Sequence, residues 1–156
     1  MRKLPVLLAV FILLGSPAIA QNKVEADFGA GFLEGLSTKL KYGNNLQISV
    51  CQGYAPGVSP LWLTGTELYC HFGKESKFAG QRTFYVMGGF STTLFALGYD
   101  SFEKIATYSR IGRTINFSAK TGLNLDFGIG ILSADDIDGY HSTLIPTASV
   151  HFFVRL

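Results

Sequence analysis

From Val24 to the C-terminus, apolar and polar residues alternate with a period of two, a pattern that commits the chain to strands with one oily and one polar face. Val24, Ala26, Phe28, Ala30 and Phe32 alternate with Glu25, Asp27, Gly29 and Gly31. Leu123, Leu125, Phe127, Ile129 and Ile131 alternate with Asn124, Asp126, Gly128 and Gly130, and Ala148 to Leu156 continues the pattern to the last residue. The period expected of helices is hard to find anywhere past Gln21.

Turn residues divide this pattern into eight expected strands: Val24–Leu33, Leu36–Gly43, Leu46–Tyr54, Thr66–Phe72, Thr83–Leu97, Lys104–Ile115, Thr121–Leu132 and Thr143–Arg155. The first hairpin is expected to turn through Leu33-Glu34-Gly35, with glycine in the left-handed position and Phe32 paired to Leu36. Without that turn, Val24 to Tyr42 is one long strand and the count falls. Eight is an even number, so both strand termini return to the same end of a closed sheet. Connections at that end, Asn44-Asn45 and Asn116–Lys120, are short, while Lys74–Arg82 is longer. Ala55–Gly65, Gly98–Glu103 and Ser133–Ser142 fall at the other end.

Ahead of the strands lies a segment of a different kind. Arg2 and Lys3 precede the apolar run Leu4–Leu14, and Ala18-Ile19-Ala20 is a small-x-small cleavage pattern. This predicts a signal peptide over 1–20 and a mature chain over 21–156 that starts at Gln21. The run is too short for a membrane helix, which takes about 20 apolar residues. Loss of Arg2 and Lys3 takes the 13 basic residues to 11 against 11 acidic ones. A neutral chain argues against a nucleic-acid partner, which usually requires a basic excess.

An alternating closed sheet is either a soluble barrel with an oily inside or a membrane barrel with an oily outside. Charged residues make up 15% of the chain and some fall at mid-strand, among them Asp27, Lys39 and Asp126. Low charge, export and abundant aromatics favour the membrane form. Tyr54, Trp62, Tyr99 and Tyr140 fall near one set of strand ends, and Tyr42, Phe72, Phe84 and Phe117 near the other, as an interfacial girdle requires. The fold expected is therefore an all-β, antiparallel, up-and-down transmembrane β-barrel.

The chain resembles the small outer-membrane β-barrel proteins of Gram-negative bacteria. Its last strand, Pro146 to Leu156, is similar to the C-terminal signal read by the barrel assembly machinery, with Leu156 standing where family members usually end in Phe. Tyr69-Cys70-His71-Phe72-Gly73-Lys74 and Arg110-Ile111-Gly112-Arg113 resemble stretches of uncharacterised barrels from Bacteroidota-like bacteria. The resemblance implies the outer membrane as location, outer-membrane lipids and lipopolysaccharide as neighbours, and the assembly machinery as a partner during biogenesis.

Candidate chemistry is sparse. Glu25, Asp27, Lys39, Lys41, Arg110, Asp126 and Arg155 share the polar faces and are expected to form a charge network in the lumen, with Arg155 near the early acids or Asp126. His141-Ser142 are adjacent and point to opposite faces if extended; His151 and Ser149 share a face but lack a nearby Glu, so a hydrolase is the minor alternative. Asp135, Asp136 and Asp138 offer oxygen ligands for a divalent ion without an EF-hand spacing, and a solvated turn is the simpler reading. Cys51 and Cys70 could pair in an oxidising compartment, although alternation sets them on opposite faces. No cofactor or zinc motif is present in this reading. The expected function is a non-enzymatic envelope protein with a structural or surface-interaction role; a lipid-modifying enzyme or a carrier of a small apolar ligand is the alternative.

Overall fold

In the computed structural model the described residues are 23–55, 61–94, 103–136 and 139–156. They form eight antiparallel strands that pair in chain order and close into a barrel. The strands are β1 (Lys23–Gly31), β2 (Gly35–Gly43), β3 (Leu46–Ala55), β4 (Leu61–Glu75), β5 (Arg82–Leu94), β6 (Glu103–Asn116), β7 (Thr121–Asp136) and β8 (Gly139–Arg155). β1 and β8 close the seam, in register from Glu25 opposite Arg155 to Gly31 opposite Ser149. The segment expected to be a signal peptide lies outside the described residues.

Alternation sets the facing of every strand. Phe28, Phe127 and Leu144 are 62%, 68% and 67% exposed, and Leu125, Ile129, Val150, Phe152 and Val154 also face outward. The other face is buried, and it holds most of the charge: Glu25, Lys41 and Arg110 are each 2% exposed. A barrel dissolved in water buries its apolar face; this one presents it on all sides.

The first hairpin turns one residue earlier than expected. The loop is Phe32-Leu33-Glu34, and Leu36 stands opposite Ala30 rather than Phe32. Gly35 still takes the left-handed conformation, with φ 60°, but as the first residue of β2, where it shares Tyr54 with Leu36 in a bulge. The shift of the pairing keeps parity, so no side chain changes face. It does free Glu34 to turn inward, where it is buried.

Strand lengths are uneven. β1 and β2 have nine residues each, whereas β4 has 15, β7 has 16 and β8 has 17. β4 begins at Leu61 instead of Thr66, because Leu61 to Gly65 pair with β3 up to Ala55. The β7–β8 ladder likewise runs on to Asp136 opposite Gly139. Strand pairing thus claims residues that read as loop, after two prolines in the first case and for their polar composition in the second.

The turn between β4 and β5 folds across the end that holds the termini. Ser76 N–H donates to the Gln81 carbonyl, and Ala79 and Gln81 are buried. Lys23 Nζ donates to the Ala79 carbonyl, which ties the turn to the start of β1.

Candidate functional site

Among the described residues, the lumen is where charge, hydrogen bonding and burial coincide, and two linked clusters fill it. Toward the termini, Arg155 Nε donates to Glu25 Oε2 at 2.9 Å, Nη2 to Gln81 Oε1 at 2.7 Å and Nη1 to Asn116 Oδ1 at 2.6 Å. Lys41 joins Asp27 at 2.6 Å and Glu25 at 3.3 Å. Asn124 Nδ2 donates to both carboxylates at 3.2 Å. Antiparallel register explains the grouping: Glu25 is opposite Lys41 on β2 and opposite Arg155 on β8.

The second cluster lies deeper. Glu67 accepts from Lys39 Nζ at 2.8 Å, Ser49 Oγ at 2.8 Å, Tyr69 Oη at 2.6 Å and Tyr108 Oη at 2.9 Å. Glu34 reaches in from the β1–β2 turn to receive both terminal nitrogens of Arg110, at 2.5 and 2.9 Å. Asp126 lies 3.3 Å from Arg110 and accepts from Tyr85 Oη and Ser149 Oγ, each at 2.9 Å. Lys39 bridges Glu67 and Glu34, the latter at 3.4 Å. Charge-assisted bonds of this kind are what make a buried charge tolerable.

An apolar plug sits among these groups. Tyr69, Tyr85, Met87, Ala106 and Tyr108 pack together, with Leu33 from the first turn and Leu132 against them. The Tyr85 ring lies over Gly112, where an added Cβ would come within 2.3 Å of ring carbon Cζ. Glycine at 112 therefore makes room for a lumen-filling ring. With the aromatics, the two ion-pair clusters and the inward turns, the bore is occupied rather than open, as expected for eight strands.

A serine and a histidine do converge. Ser37 Oγ lies 2.8 Å from His151 Nε2, and His151 Nδ1 lies 3.2 Å from Ser149 Oγ, which donates to Asp126. The separation suits a nucleophile and its base. Ser37 and His151 are 2% and 1% exposed, so the pair is enclosed in the lumen. Their chemistry is that of a closed relay that fixes β2 to β8. His141 and Ser142 are exposed, and Ser142 Oγ is 3.1 Å from Ser133 Oγ rather than from a histidine.

The structure thus brings all seven expected charged residues into the lumen and pairs Arg155 with Glu25 rather than Asp126. Glu34, Glu67 and Gln81 complete the network without having been singled out from the sequence. Glu67 alternates with Leu68 inside an expected strand and was open to the same logic. Glu34 and Gln81 lie in turns, where alternation carries no facing information.

Cys51 and Cys70 are free thiols. Cys51 is buried opposite Gly65 and Cys70 is exposed opposite Leu46, so both facing and register separate them and no disulfide forms. The acidic tip fares differently: Asp138 and the side chains of Asp135 and Asp136 lie outside what is described. Among the described residues no three His, Cys, Asp or Glu are placed to hold a metal ion.

Comparison with protein-family models, with characterised proteins and with solved structures finds no match to this chain.

Proposed function

We propose that this chain is an integral outer-membrane β-barrel that serves the envelope structurally or through its longer far-end strands, without catalysis and without a conducting pore. The observation that carries the reading is the inverted distribution of polarity: large apolar side chains on the outer wall of the strands, ion pairs within. In water such a wall would be an uninterrupted association surface, far beyond the few hundred Å² a soluble monomer exposes. In lipid it is the favourable surface, and closure of β1 on β8 pairs the strands around the whole barrel.

Dimensions support the same reading. Nine residues at about 3.3 Å each, tilted by about 40°, rise roughly 23 Å, close to the ~25 Å apolar band of such barrels. β1 and β2 are therefore just long enough to span. Tyr42 and Phe72 near the termini and Trp62 at the far end are exposed where a girdle would lie.

The filled lumen speaks against a porin, and the enclosed Ser37–His151 pair speaks against a lipid hydrolase, which needs a cleft opening to the bilayer. Membrane fractionation followed by electrophoresis with and without heating tests the proposal. A urea-resistant membrane protein whose band shifts on heating is the expected result. A soluble periplasmic protein, or one whose mobility does not change, would overturn it.

A further inference from the structure

On the outer wall of the barrel, one charge stands apart. Among the described residues, Arg113 is the single charged side chain on the outward face of the strands away from their ends; the other mid-strand charges, from Glu25 to Arg155, point inward. An Arg on a lipid-facing barrel wall costs about 2–4 kcal/mol at the midplane and less toward the interfaces. Something must offset that cost, and no carboxylate does so here: the ion pairs among the described residues all lie in the lumen. The guanidinium instead lies over the Phe84 ring, 5.5 Å from its centre.

Arg113 also borders a groove of about 360 Å³. Phe84, Ile111, Leu125 and Phe127 give it apolar walls, and Gly112, Asp126 and Ser149 complete its lining. Arg113 is opposite Phe84 on one side and Leu125 on the other. It is three residues from the end of β6 at Asn116, so it lies roughly 8 Å inside the rim that holds the termini, within reach of headgroups for a side chain that snorkels. Arg82, exposed at the start of β5, lies outside the lining of the groove.

We infer that this groove binds one anionic glycerophospholipid of the periplasmic leaflet, with its phosphate on Arg113 and an acyl chain along Ile111, Leu125 and Phe127. The inference rests on the membrane reading above. Charge complementarity selects the occupant: a guanidinium offers two parallel donors that match a phosphate, and the apolar trough beside it matches a chain. The position at the termini end selects the phospholipid leaflet over the lipopolysaccharide leaflet, because both strand termini of such barrels lie on the periplasmic side.

Native mass spectrometry of delipidated protein in detergent, titrated with phosphatidylglycerol or phosphatidylcholine, tests it. The wild type should retain one phosphatidylglycerol in preference to phosphatidylcholine. Arg113→Gln should weaken that retention by about tenfold, and Arg113→Lys by less, since the charge remains and the fork is lost. Phe127→Ala should weaken both lipids alike, whereas Arg82→Gln should change little. Equal retention of the two lipids by the wild type, or unchanged retention by Arg113→Gln, overturns the site while leaving a heat-modifiable barrel intact. A protein that shows no heat-modifiable fold in detergent overturns the membrane reading and the site together.

Discussion

Arg110 on β6 and Glu34 in the β1–β2 turn meet fork to fork across the lumen, Nη1 to Oε1 at 2.5 Å and Nη2 to Oε2 at 2.9 Å. Both side chains are buried, and their pairing holds the first turn inside the barrel. Breaking one partner of a buried pair typically costs about 3–5 kcal/mol, whereas replacing both with apolar groups can be neutral. Glu34→Leu is therefore expected to lower the stability of the folded barrel by about 3 kcal/mol or more, and Glu34→Leu with Arg110→Met to recover part of that loss, since Arg110 also faces Asp126 at 3.3 Å. Urea unfolding in lipid vesicles reads both; a double variant no better than the single one would mean the pair is not the main constraint on the turn.

Glu67 is the most heavily bonded carboxylate in the lumen, with one lysine and three hydroxyls donating to it. Glu67→Gln keeps the shape but removes the charge, and leaves Glu34 at 3.4 Å as the carboxylate facing Lys39. A loss of about 3 kcal/mol is expected, against about 1.5 for Ser49→Ala, which removes one donor and no charge. Equal midpoints for the two variants would contradict this ranking.

Two glycines on neighbouring strands should respond differently to a methyl group. A Cβ at Gly112 would collide with the Tyr85 ring and push its hydroxyl off Asp126, while at Gly88 the nearest atom is 4.0 Å away. Overpacking costs about 1–3 kcal/mol. Gly112→Ala should lower the thermal midpoint clearly and Gly88→Ala should leave it nearly unchanged. The prediction fails if both variants melt alike.

The thiols give a test of facing that needs no variant. Cys51 is 1% exposed, and Cys70 is exposed on the outer wall. In vesicles, a membrane-permeant maleimide should modify Cys70 alone, a charged one should modify neither, and both should react after unfolding. Rapid modification of folded Cys51 would place it outside the closed lumen.

Alternation carried the facing of residues such as Phe127 and Asp126, because a period of two is a local property of sequence, and turn residues between the runs carried the count of eight strands. Strand ends were less legible. Leu61 to Gly65 follows Pro56 and Pro60 and ends in glycine, and Ser133 to Asp136 is mostly polar, so both read as loops; yet each pairs with the adjacent arm of its own hairpin, Cys51 to Ala55 and Gly139 to Ser142. The inward turn of Glu34 was not legible either. What buries it is Arg110, 76 positions away, and no local pattern encodes that distance. The opposite facing of Cys51 and Cys70 was legible from alternation, whereas their separation along the β3–β4 ladder was not, because adjacency of two strands does not fix which rungs meet.

The short first hairpin has a further consequence at the far end of β8. Phe32, the first residue after β1, donates its N–H to the Ala148 carbonyl, one rung beyond the β1–β8 ladder that ends with Gly31 opposite Ser149. The N–H and C=O of one strand residue face the same edge, so two residues on, the donor on this edge would belong to residue 146. That residue is proline, which has no N–H to offer. A foreign strand that tried to continue the ladder would therefore meet a missing rung at its first step. Proline at the free margin of a tall strand is a known way to discourage edge-to-edge aggregation, and here it stands where the wall steps down.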